Sequence, residues 1–156
     1  MDDFEFLDDC WGKWEKLAPA KRNRNQQAVV DVCGTITDVE GDGVLSVWRE
    51  SAVSMDRIVD SFRMAGALDI ARLLEESSFC KEILNRTSPD ADDWNCTQEE
   101  ENKLRDIDLR IGELGPDARE GLLEFLPRER ANDQTQRILQ LRDVCILREW
   151  REAALV

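Results

Sequence analysis

Histidine and tyrosine are both absent from these 156 residues, and the missing histidine excludes the more. It takes away the commonest general base near neutral pH, the commonest zinc ligand, and every Ser-His or Cys-His nucleophile pair. Catalysis would have to rest on carboxylates, Lys, Arg or an unassisted Cys. No enzymatic activity and no cofactor are therefore expected. Long apolar runs are missing too: none approaches the roughly 18 residues that cross a bilayer. Basic charge is scarce, with 21 Lys and Arg against 34 Asp and Glu and a formal net charge of −13. Direct nucleic-acid binding and anionic membranes are poor partners for such a chain, because phosphate contacts need clustered cations. The small patch of Lys21, Arg22 and Arg24 is too short for that role and is expected to face solvent or the acidic surface.

The five cysteines (Cys10, Cys33, Cys80, Cys96 and Cys145) are odd in number, scattered, and contain no C-x-x-C pair. Free thiols in a reducing compartment are the economical expectation. The opening residues "MDDFEFLDDC" are acidic and lack the basic start and apolar stretch of a signal peptide, so a cytoplasmic location is expected.

What the chain does have is helical periodicity nearly throughout. Phe4, Leu7, Trp11, Trp14 and Leu17 recur at spacings of three and four, predicting one stripe on a helix that ends before Pro19. A second stripe, Val29, Val32, Cys33 and Ile36, is interrupted by Gly41 and Gly43 and resumes with Val44, Leu45, Val47 and Trp48. Ser54 is placed to cap a helix bearing Ile58, Val59, Phe62 and Ala65, closed by Gly66. Ile70, Leu73, Leu74 and Ile83 continue the apolar pattern as one stretch. "RTSPDADDWNC" (86–96) has Pro, Asp and Asn without period and predicts an exposed loop. Thr97 and Glu100 then match a capping box ahead of Leu104, Ile107, Ile111 and Leu114. Gly115-Pro116 predicts an end to that helix, with a short Leu122, Leu123 and Leu126 segment stopped by Pro127. A last helix is expected from about Thr135 to Ala153, carrying Ile138, Leu141, Val144 and Cys145 on one side. Trp11, Trp14, Trp48 and Trp150 fall near these stripes and are expected in the core, as are Cys33 and Cys145. The expected fold is all-α, a single compact domain of about seven helices spanning 1–156.

The stretch "DVEGDGVLSVWRE" (38–50) has the spacing of an EF-hand calcium loop. Asp38, Glu40 and Asp42 occupy its first, third and fifth positions, and Gly43 its sixth. The twelfth, where a bidentate carboxylate belongs, is Arg49, with Glu50 one residue late. A turn between two helices with three solvated carboxylates fits these residues better. Calcium binding by Asp38, Glu40 and Asp42 stands as the alternative.

The same stretch, continued by "MDRIVDSFRMAGALDIARLLEES", resembles the DUF4375 family, also called the DMP19-like or DNA-mimic family. Asp38 and Val39 stand where that family has Glu-Val, Gly41-Asp42-Gly43 for Asn-Gly-Gly, Val44 for Phe, Trp48 for a later aromatic and Ser51 for Ser. Ala65-Gly66-Ala67 match an I-G-A-like turn, and Ala71, Leu73 and Leu74 the helix after it. The resemblance covers roughly residues 28 to 77, with the family's asparagine, one glycine and a glutamine replaced. It implies an all-helical intracellular bacterial protein, and some relatives are acidic mimics that occupy the DNA-binding surface of a repressor.

A DNA mimic must present carboxylates at phosphate-like spacing with few cations among them. The densest run is Asp90, Asp92, Asp93, Glu99, Glu100, Glu101, Asp106 and Asp108, against Lys103 and Arg105. Asp38, Glu40 and Asp42 form a smaller second cluster. These eleven residues are the candidate contacts for a basic protein surface, with a DNA-binding protein as its sharpest form. Trp94 stands inside the acidic loop and is explained either as a partner contact or as a folded-back anchor.

Overall fold

A computed structural model describes residues 2–126. The chain divides into a unit spanning Met1–Leu123 and a second from Glu124 to Val156. The first unit consists of α1 (Asp3–Trp14), α2 (Arg24–Asp42), α3 (Val44–Ser51), α4 (Met55–Met64), α5 (Leu68–Glu76), α6 (Cys80–Arg86) and α7 (Gln98–Leu122). Single 3-10 turns at Pro19–Lys21, Ala52–Ser54 and Ser77–Phe79 join some of them. No strand occurs among the described residues, so the all-α class holds. The expected helix at 135–153, the stop at Pro127, and the placements of Cys145 and Trp150 lie outside the described residues.

Helix α2 is the central element and packs against α1, α3, α4 and α7. Its stripe of Val29, Val32, Cys33, Ile36 and Val39 is buried as the periodicity predicts. Among the described residues, the three longest helices begin with a capping box: Asp2 with Glu5, Asn23 with Gln26, and Thr97 with Glu100. In each, the cap side chain accepts from the backbone N–H three residues on, and that residue's side chain accepts from the cap N–H in return. Arg22 closes the other end of α1. Its guanidinium donates to the carbonyls of Trp14 (2.9 Å) and Glu15 (2.8 Å), so it serves the helix C-terminus rather than facing a distant acidic surface.

Several boundaries differ from the sequence expectation, each for an identifiable reason. Helix α1 ends at Trp14; Leu7 and Cys10 are buried, Trp11 and Trp14 half-buried, and Phe4 and Leu17 exposed. Ser54 precedes α4 but makes no side-chain cap. The 68–86 stretch is two helices joined by a 3-10 turn, where the buried hydroxyl of Ser77 donates to the Leu74 carbonyl and accepts from Trp48 Nε1, both at 2.7 Å. That pair ties the break in the chain to the indole on α3. Gly41 does not interrupt α2, which runs on to Asp42 and stops at Gly43, where φ is +83°. Gly66, at φ +74°, ends α4 as expected. There the Ala67 N–H reaches the Phe62 carbonyl at 2.9 Å and the Gly66 N–H the Arg63 carbonyl at 3.0 Å, a Schellman pair.

The largest difference is α7, which passes straight through Gly115-Pro116. A proline in a helix interior costs about 3 kcal/mol in intrinsic propensity. Burial of Ile107 and Ile111 before it and of Ala118 and Leu122 after it outweighs that cost. The glycines on either side of Pro116 explain the path. A Cβ at Gly115 would lie 3.1 Å from Ile36 Cγ2, and one at Gly121 only 1.9 Å from the Ala65 carbonyl oxygen. Helix α7 thus lies against α2 and the end of α4 too closely for a side chain at Gly121.

Candidate protein-interaction face

Asp38, Glu40 and Asp42 all lie in the helical backbone of α2 and are exposed. Residues two apart on a helix point about 200° from one another. Asp38 and Asp42 therefore share a side of α2, with Glu40 on the other. A calcium loop needs the three to converge on one ion from non-helical backbone. Among the described residues no group of three His, Cys, Asp or Glu is placed to hold a metal ion. Asp38 is raised above the ordinary carboxylate pKa, first by partial desolvation and then by the negative charges of Glu50 and Asp42.

The run from 90 to 108 separates into two groups. Half of it is engaged within the protein. Glu99 pairs with Lys103 at 2.8 Å and Asp106 more loosely with Arg110 at 3.9 Å. Glu100 accepts from the Thr97 N–H at 2.8 Å and from Arg86. Asp108 is half-buried beneath Gly43 and accepts from the Val44 N–H at 2.8 Å, capping the start of α3 from 64 residues away. Burial pushes its pKa up, partly offset by that hydrogen bond. The other group is Asp90, Asp92, Asp93 and Glu101, all exposed. The first three make no ion pair among the described residues, and Glu101 has only a 3.5 Å contact with Gln98.

The loop carrying Trp94 is fastened at its base. Arg86 donates to the Asn95 carbonyl at 2.7 Å while pairing with Glu100. Thr87 Oγ1 accepts from the Asn95 N–H at 3.0 Å and donates to the Ile83 carbonyl at 2.7 Å. The loop exit is thereby bound both to the end of α6 and to the cap of α7. From this base Trp94 folds back toward α3, and the Arg49 guanidinium lies over its ring, 5.4 Å from the centroid. Trp94 as a whole is still 38% exposed.

Trp94 and Asp93 line two neighbouring clefts and form the wall between them. The first, about 700 Å³, also has Asp42, Ser46, Arg49, Leu84 and Asp92 on its sides. The second, about 970 Å³, has Glu40, Glu101, Leu104, Arg105, Leu109 and Glu113. Leu109 is 62% exposed on α7. Asp42 and Glu40 from one acidic cluster and Asp92, Asp93, Glu101 and Asp108 from the other thus line clefts beside one partly exposed indole, while Asp38, Asp90, Glu99, Glu100 and Asp106 line neither. The arrangement puts carboxylates and apolar side chains on the walls of the same clefts, alongside Arg49 and Arg105, which suits a ligand with both cationic and apolar groups.

Two features of the molecule lie apart from this face. Buried Asp31 accepts from Gln27 (2.8 Å), from Arg57 Nε (3.0 Å) and Nη2 (2.8 Å), and from Ser61 (2.8 Å). It fastens α2 to α4, and nothing in its sequence surroundings distinguishes it from a surface acid. The thiols of Cys33 and Cys80 are pushed up to about 12 by burial, so at neutral pH they are packing groups rather than nucleophiles. The pairing of Arg49 with Trp94 also escapes local patterns; its signal is a tryptophan in an otherwise polar loop. Among known proteins, the chain matches no family model, no curated protein and no solved structure.

Proposed function

We propose that this chain is a non-enzymatic, acidic interaction protein that binds a basic protein surface through the face centred on Trp94. The observation that carries the proposal is convergence: Asp42, Asp92 and Asp93 share one cleft, Glu40, Asp93 and Glu101 the next, and Trp94 stands between them. Tryptophan is among the residue types enriched at interaction hot spots, and here it stands among carboxylates. The resemblance to the DMP19-like family belongs to the same proposal.

General recognition of a basic surface is better supported than DNA mimicry in its strict form. Glu99, Glu100, Asp106 and Asp108 are engaged by Lys103, Arg86, Arg110 and the Val44 N–H. Pairing of this kind breaks up the uninterrupted array a phosphate backbone presents.

The test is calorimetric titration with an oligo-arginine peptide at low and high salt. Saturable binding that weakens as salt rises is expected, and so is a loss of affinity in an Asp92→Asn/Asp93→Asn variant. An Asp56→Asn/Asp69→Asn variant makes the same change of net charge at residues that line neither cleft. Equal weakening by the two variants would show mere attraction to a negative protein and overturn the proposal, as would the absence of binding at low salt.

A further inference from the structure

We infer that Arg49 is an internal ligand of the face, occupying the place on Trp94 that an arginine of the partner takes when it binds. The inference rests on the proposed basic partner and names the residue type that enters the first cleft. Three observations lead to it. The guanidinium of Arg49 lies 5.4 Å from the Trp94 ring centroid. It does so in a cleft that also presents Asp42, Asp92 and Asp93. Its one ion pair among the described residues is an exposed 3.2 Å contact with the adjacent Glu50, and half of its side chain remains open to solvent.

The cleft therefore already holds a guanidinium against an indole among carboxylates, supplied by the protein itself. The hold is weak. A cation–π contact at an exposed site is worth little, and the Arg49 side chain is half open to solvent. Trp94 cannot leave as easily, because Asn95 beside it is bonded to Arg86 and Thr87. An incoming arginine would take the vacated ring face and gain the carboxylates of Asp92 and Asp93 as well. Arginine is favoured over lysine, since a planar guanidinium stacks on the ring and bonds carboxylates at its edge.

The experiment is a double-mutant cycle read by titration with oligo-arginine and oligo-lysine peptides of equal length. Arg49→Gln is expected to raise affinity for oligo-arginine about two- to fivefold, the range of an exposed cation–π contact. Trp94→Leu is expected to lower it, and in the Trp94→Leu background the gain from Arg49→Gln should vanish. A gain of the same size in both backgrounds would mean that Arg49 acts only as a like charge, and the inference fails. Oligo-lysine binding the unmodified protein as tightly as oligo-arginine would also overturn it. Either of these failures leaves the broader proposal standing if binding remains salt-sensitive and dependent on Asp92 and Asp93. If no basic peptide binds any variant, both fall together.

Discussion

Asp31 and Asp92 carry the same side chain, yet the regions around them put it to opposite uses. Asp31 sits on the inner side of α2, nearly without solvent, and its two oxygens receive four hydrogen bonds from Gln27, Arg57 and Ser61. Asp92 stands on the loop before α7, exposed, with no ion pair among the described residues. A buried carboxylate must be fully partnered, because desolvation penalises an unpaired charge heavily. An exposed one needs no partner, because water solvates its charge. The run from 90 to 108 contains both kinds, since Asp108 and Glu100 behave like Asp31 while Asp90, Asp92 and Asp93 do not. Local acidity thus overstates the charge that this face can offer a partner.

The contrast predicts that substitutions on the inner side act on stability, while under the proposed function those on the Trp94 face act on binding. The largest effect is expected at Gly121, where a Cβ would meet the Ala65 carbonyl oxygen at 1.9 Å. Gly121→Ala should cost about 3 kcal/mol, because both atoms in conflict belong to the framework of packed helices. Chemical denaturation measures this, and a loss below about 1 kcal/mol would mean that α7 and α4 are less tightly apposed. Next comes Asp31→Ala, which leaves Ser61 and part of Arg57 without their acceptor and should cost about 2–3 kcal/mol. Neither substitution touches a residue that lines the Trp94 clefts.

Asp108 lies between the two regions and tests where the boundary falls. Asp108→Ala removes the acceptor for the Val44 N–H and should cost about 1 kcal/mol, the usual worth of a helix cap. Its pH dependence is distinctive. The folded-state pKa is raised above the ordinary 3.8, so the folded protein binds the proton more readily than the unfolded chain. The unsubstituted protein should therefore gain on Asp108→Ala as pH falls through the raised value, with the full gain reached below the ordinary one. A gap between the two proteins that narrows on acidification would contradict the burial of Asp108.

The smallest effect is a gain. Asp38 is set four residues from Asp42 on α2 and near Glu50. Asp38→Asn should stabilise the protein by about 0.2–0.5 kcal/mol at neutral pH by removing like-charge repulsion. Because the pKa of Asp38 is raised, the gain should shrink as acid protonates Asp38 in the unsubstituted protein. Thermal denaturation at neutral and acidic pH checks both parts.

Much of this fold is legible along the chain because its causes are local. Helical stripes, the Thr97–Glu100 cap, the Gly66 terminus and the 86–96 loop follow from spacing and from the conformational limits of particular residues. The largest misplaced boundary has the opposite cause. Pro116 signals a break that does not occur, since the buried Ala118 and Leu122 beyond it outweigh its local preference. Gly41 does not break α2 because a single exposed helix glycine costs only about 1 kcal/mol. At Ser77 the chain turns through a 3-10 segment where its hydroxyl bonds Trp48, a contact no local pattern announces. The face shows the same division. Its acidity and its tryptophan are evident from composition, but not the partners its carboxylates already have.

By itself, then, the sequence determined the helical class, the negative charge, the lack of histidine chemistry and the positions of several caps, all matters of composition and near-neighbour geometry. Tertiary structure alone decided which carboxylates are engaged, that 38–42 is helix, and that Asp42, Asp93 and Trp94 share a cleft. The reason is that hydrogen bonds such as Val44 to Asp108 join residues remote in the chain. Such contacts have no periodicity to announce them.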